Sequence, residues 1–270
     1  MTKGIVIKSL GAVLGRALAI FSLGLFSLAG LSQTSKGQNQ KPTLVALYQG
    51  QGTGNSSKKI LTQLQTENNV EVKAVSAADI RNGDLKGFEV VIFGGGSGGG
   101  QGKALGIEGR EKVREFVKNG GNYIGICAGA YLASADYDWS LHIINARVLD
   151  RAHWARGVGR VDLALNQQGQ SLFQEKSKKT NIYYHQGPLL AKSDKKDLSE
   201  YQEWATFETE VSKKGVPGGI MPGKTAIASG TFGKGKVLAI SPHPELTPGM
   251  EKVLPNAVKW ATSMNSKPNS

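Results

Sequence analysis

The chain has one cysteine, Cys127, so no intramolecular disulfide can form and a disulfide-stapled scaffold is excluded. Histidines are scarce too. His142, His153 and His185 lack close ligand spacing, so neither a metal nor any other cofactor is expected. The glycine-rich run "GGGSGGGQGKALG" lacks the GK[ST] ending of a phosphate loop, which argues against nucleotide binding. Basic residues outnumber acidic ones, giving a formal charge of +12, yet no basic run exceeds two residues and no aromatic-basic stripe occurs. That pattern describes a solvated basic surface suited to anionic surroundings, with no nucleic-acid partner. Long apolar runs are missing as well: the uncharged stretch Ala17 to Leu31 falls short of the about 20 residues a bilayer-spanning helix needs.

What the chain does have begins with that stretch. Lys3 and Lys8, the apolar region and the small residues of "SLAG" are laid out like a secretory signal peptide. We therefore expect a signal peptide over 1–30, a polar linker over 31–42, a single domain over 43–262 and a polar tail over 263–270. The expected location is periplasmic or extracellular after cleavage, with membrane contact only in transit; the alternative is anchoring by an uncleaved N-terminal segment. With 270 residues and 39% hydrophobic content, one substantial core is affordable. Nothing in the sequence fixes an oligomeric state.

Within the domain, short apolar runs alternate with helix-like stretches. "TLVALY", "VEVKAVS", "FEVVIFGG" and "NYIGICAG" read as strands, while "SSKKILTQLQTEN" and "GIEGREKVREFVKNGG" carry apolar residues at helical spacing. Strand and helix in alternation predict an α/β fold, a mostly parallel sheet with helices on both faces. The second half is richer in strands: "HIINARVLD", "GRVDLALN", "TNIYYHQGP", "EWATFET" and a hairpin in "TFGKGKVLAI". "MEKVLPNAVKWATSM" closes the domain as a helix.

Cys127 stands in "GICAG", at the end of a predicted strand. A GxCxG there is the cysteine counterpart of the nucleophile elbow, in which flanking glycines permit a cramped turn that raises the side chain. A nucleophilic thiol also needs a base and a group to orient it. "LAISPHPELT" supplies both at the end of another strand: His243 and Glu245, two residues apart, can project to one side. Trp154 and Arg156 in "HWARG" offer stacking and charge to a substrate, and Tyr183 and Tyr184 alternate across a strand, so at most one faces a site.

These motifs together resemble the class I glutamine amidotransferase-like superfamily. "VVIFGGGSGGG", "REFVKNGGNYIGICAGAYLAS", "HWARGVGRVDLAL", "NIYYHQGPLL" and "SPHPE" are closest to the family named for the N-terminal domain of biotin-protein ligase, a likeness running from Thr43 to Trp260. The resemblance implies a flavodoxin-like sheet, Cys127 as nucleophile, His243 as base and Glu245 as its orienting partner. It also implies main-chain donors to an oxyanion from Gly95 and Gly96 of the glycine-rich turn beside Ala128, with His185, Tyr184 and Trp154 near the substrate. "AGAY" replaces the glycine, histidine, glutamine run that follows the elbow in glutamine-using members, so the resemblance does not extend to glutamine as substrate. The reading is an exported thiol hydrolase or amidase-like protein acting on a small-molecule or cell-envelope amide or acyl group. A non-catalytic module binding a small polar ligand or cell-wall fragment is the alternative; a redox-sensing thiol protein is a third.

Overall fold

A computed structural model describes residues 41–263. The expected signal peptide, most of the linker and the polar tail lie outside the described residues. Among the described residues no helix is long and apolar enough to cross a membrane.

The first half alternates as the sequence spacing predicts: β1 (Thr43–Tyr48), α1 (Ser56–Gln65), β2 (Val70–Val75), α2 (Ala77–Asn82), β3 (Val90–Phe93), α3 (Gly98–Lys118), β4 (Asn122–Ile126) and α4 (Ala128–Ala133). The second half contributes β5 (Ala146–Leu149), β6 (Val158–Leu165), α5 (Gln167–Phe173), β7 (Lys179–His185), β8 (Leu189–Lys192), β9 (Gln202–Phe207), β10 (Thr225–Phe232), β11 (Gly235–Ile240) and α6 (Val253–Thr262). One mixed sheet runs in the order β2-β1-β3-β4-β11-β10-β9-β6-β7, with β5 and β8 paired to one another off that path. β2, β1, β3, β4 and β11 are mutually parallel, and the strands beyond β11 join antiparallel.

Both faces of the central parallel strands are covered, which is why β1 and β3 read as near-unbroken apolar runs, whereas the edge strand β2, VEVKAV, alternates. Val45 and Leu47 of β1 pack into the core that holds Ile60 and Leu64 of α1 and Val253, Leu254, Ala257 and Val258 of α6. Ala46 and Tyr48 turn the opposite way, into the core that holds Ile80 of α2, Leu105, Val113 and Val117 of α3, and Leu132 of α4. Successive side chains of a strand point to opposite faces, so a strand buried on both sides has to be apolar throughout.

Two details depart from the sequence reading. α3 starts at Gly98, ahead of the predicted 106, because Ser97 caps it by accepting from the Gly100 N–H at 3.0 Å. Helix-averse glycines fill its first turns, and at Gly106 (φ 66, ψ −173) the backbone breaks from helical geometry before the apolar spacing begins. α2, α5 and β8 give too short a signal to be read from periodicity. The predicted "GKG" turn is present: β10 and β11 pair through Phe232↔Gly235, with Gly233 at φ 60.

The sheet order sets up the site. β11, late in sequence, lies beside β4 in parallel register, Ile240 against Ile126, so both strands end at the same edge. In an open α/β sheet the crevice beyond the carboxyl ends of the strands is where ligands bind.

Candidate active site

Cys127 follows β4 directly and takes φ 50, ψ −99, a conformation that side-chain-bearing residues rarely adopt. Its N–H donates to the Ile240 carbonyl at 2.8 Å, clamping the turn to β11, and its carbonyl accepts from the N–H groups of Ala130 and Tyr131. The flanking glycines are required by packing. A Cβ on Gly125 would strike the Gly129 carbonyl, and one on Gly129 would strike the Phe93 carbonyl of β3. GxCxG is therefore the sequence of a turn pressed against its own helix and a neighbouring strand.

His243 enters from the end of β11. Its N–H donates to the Tyr183 carbonyl at 2.8 Å, its carbonyl accepts from Thr247 Oγ1 at 2.8 Å, and Pro244 opens a 3-10 turn over Pro244–Leu246. That turn brings Glu245 back under the ring: Nδ1 of His243 and Oε1 of Glu245 are 2.7 Å apart, with both residues buried. Oε2 of Glu245 is buried without a hydrogen-bond partner, so among the described residues the imidazole is the one side chain hydrogen-bonded to this carboxylate. The ring fits because Gly95 lacks a side chain; a Cβ there would lie 2.7 Å from His243 Cε1.

Electrostatics couple His243 to the thiol. Burial works against the imidazolium. A charged Cys127 sulfur, a hydrogen bond to it and the Glu245 carboxylate outweigh burial and hold His243 well above the ordinary imidazole range. His185 moves the other way: burial and the neighbouring His243 charge lower its pKa. The two rings are 6.2 Å apart, and in its neutral thiol form Cys127 donates from Sγ to the His185 carbonyl at 3.4 Å.

The glycine-rich turn after β3 closes the other side. Gly96 sits at φ +139, where a Cβ would meet the Gly52 carbonyl, and Gly95 is pinned by Gly54 N–H to its carbonyl at 2.8 Å. The N–H groups of Gly95, Gly96 and Ala128 donate to no backbone acceptor outside their own elements. These are the donors an oxyanion would need.

Cys127, His185, His243, Gly95, Gly96 and Trp154 all line one cavity of about 580 Å³. Ala128 and Glu245 stand just behind that lining. Tyr184, expected near the substrate, does not line it: the ring is 0% exposed in the core and its hydroxyl donates to the Gly187 carbonyl at 2.7 Å. Burial, and beyond it the Cys127 charge, push the Tyr184 phenol pKa up. Arg156 is likewise no substrate contact. It is 1% exposed, paired with Asp150, and absent from the cavity wall.

Sequence reasoning passed over Arg151, Tyr137 and Trp139, all of which line the cavity. Tyr137 and Trp139 stack with centroids 4.4 Å apart, and the Arg151 guanidinium lies 4.1 Å from the Tyr137 ring centroid. Aromatics spaced by two in "DYDW", close after the elbow, were the available signal. Three of the five non-glycine residues with positive φ also belong to this neighbourhood: Cys127, Gln186 and Asp150, which precedes Arg151. Backbone strain of this kind collects at functional sites.

Comparison with known proteins agrees with this fold. Residues 43–152 match the family model described as biotin-protein ligase, N terminal. PurLQS from Thermotoga maritima superposes with a TM-score of 0.59 at 17% identity, covering 82% of this chain and 99% of that one. A structure described as glutamine amidotransferase gives 0.54 at 20% identity, covering 80% and 98%. The fold is class I glutamine amidotransferase-like. A ThuA-like protein from Parabacteroides merdae shares it, at a TM-score of 0.53 and 13% identity over 82% and 90% of the two chains. No curated protein sequence matches. At these identities the likeness of the amidotransferase-like domain to its neighbours concerns architecture alone.

Proposed function

We propose that the protein is a cysteine hydrolase of amides, with Cys127 as nucleophile, His243 as base and Glu245 as the group that orients it. The observation that carries this reading is the convergence of Cys127 and His243 from adjacent parallel strand ends, with Glu245 on the far nitrogen of the ring. That carboxylate fixes the tautomer and stabilises the imidazolium, as in hydrolase triads.

The thiolate of Cys127 attacks the amide carbon, forming an S–C bond and moving the carbonyl electron pair onto oxygen. The oxyanion takes hydrogen bonds from the N–H groups of Ala128 and the Gly95–Gly96 turn. Collapse breaks the C–N bond, and the imidazolium of His243 gives its proton to the departing amine. Water, losing a proton to His243, then attacks the thioester; the S–C bond breaks, the acid leaves and the thiolate is restored.

Cys127→Ala and His243→Ala should each abolish turnover, and the double variant should lose little more than either single one, because members of one catalytic unit are not additive. Glu245→Gln should retain weak activity. Intact mass spectrometry of wild type after a short exposure to an activated ester should show one acyl group on Cys127. Independent losses in the single variants would sink the triad, and ligand binding that survives Cys127→Ala with no acyl adduct ever trapped would favour the binding module.

A further inference from the structure

The cavity wall carries an arginine and no carboxylate. Its lining includes Arg151, His185 and His243 and no aspartate or glutamate. Two carboxylates adjoining the lining are committed elsewhere: Glu245 to His243, and Asp150 to both His153 Nδ1 (2.6 Å) and the buried Arg156. Arg151 adjoins Asp150 in sequence, yet it enters no ion pair among the described residues. Its guanidinium lies over the Tyr137 ring, which stacks on Trp139, so the two aromatics support a guanidinium without a salt-bridge partner at one wall. Across the mouth Trp154 is 56% exposed, an unusual display for so large an apolar ring. A guanidinium resting on an aromatic face keeps its edge free to accept a carboxylate in a two-point hydrogen bond.

We propose that Arg151 selects substrates carrying a carboxylate, and that the exposed Trp154 ring stacks against a flat ring in the same molecule. The substrate class is thus an amide bearing both a planar ring and a free acid. This rests on the proposed function only in taking the cavity as the substrate site; the selectivity itself requires no chemistry from Cys127.

The probes are N-benzoylglycine, which carries ring, amide and carboxylate, and N-benzoylglycinamide, its neutral counterpart. Binding to the full chain is measured by calorimetry, and occupancy of the cavity by protection of Cys127 from alkylation with iodoacetamide. The acid should bind about tenfold more tightly than the amide, the difference expected of one charge-assisted contact. Arg151→Gln should shrink that ratio to about twofold or less while leaving amide binding unchanged, and Arg151→Lys should keep part of it. Trp154→Ala should weaken both ligands. Equal affinities in wild type, a ratio that survives Arg151→Gln, or no binding of either probe at millimolar concentration would each overturn the proposal. The ratio is read from binding alone and the triad from turnover and acyl trapping, so a failed triad and a failed anion site give different results.

Discussion

One methyl group at position 129 would set the elbow helix against β3, since the new Cβ has the Phe93 carbonyl in its path and no flexible side chain to push aside. Gly129→Ala should therefore destabilise the domain by about 2 kcal/mol, the scale of overpacking in a close-fitted site, read as a lowered urea midpoint with an unchanged slope. His243 offers a residue-level test of a different kind. Its pKa is raised chiefly through Cys127, against the opposing effect of burial, so in Cys127→Ala its imidazole resonances should titrate at lower pH than in wild type. A raised folded-state pKa stabilises the protein fully below the ordinary imidazole value, near about 6.5, and that stability is lost as pH rises through the raised value. Wild type should accordingly lose its thermal-midpoint advantage over Cys127→Ala on the alkaline side; a constant difference from pH 6 to 10 would contradict the coupling.

At the scale of elements, the central parallel strands were readable because strands buried on both faces have no polar positions to blur them. The elbow and the HPE turn were readable for a related reason: glycine and proline appear there because the backbone demands them. Other features left weaker traces. Glycines disguised the start of α3, and Tyr184 and Arg156 could be placed only by knowing which way a strand and a loop face. Arg156 looked like a surface charge beside Trp154, whereas it is the buried strut of the 150–156 segment, bound to Asp150 with its Nη1 unpartnered. Removing Arg156 leaves the Asp150 carboxylate with His153 alone, so Arg156→Met should cost about 2 kcal/mol. Because Asp150 precedes Arg151, the same change should also reduce the acid-over-amide binding ratio.

For the whole molecule, the expected route out of the cell rests on the layout of residues 1–30 and calls for a direct measurement. Mass spectrometry of secreted material should find a mature chain beginning near Ala29 or Gly30; recovery of chains that keep Met1 to Leu28 would favour the anchored form. The +12 charge suits anionic surroundings, and a cavity wall that carries an arginine and no carboxylate extends that bias to the site itself.

The central position of β11 also bears on the order of events during synthesis. Cys127 is made long before His243, and the strand that delivers the histidine is the last to be synthesised, yet it must slot between β4 and β10 in the middle of the sheet. Until it does, the thiol has no base beside it and its backbone turn lacks the clamp from Ile240. Under the proposed triad, a nascent or truncated chain ending before residue 235 holds the thiol without its base, so the proposed reactivity waits on this last step of assembly.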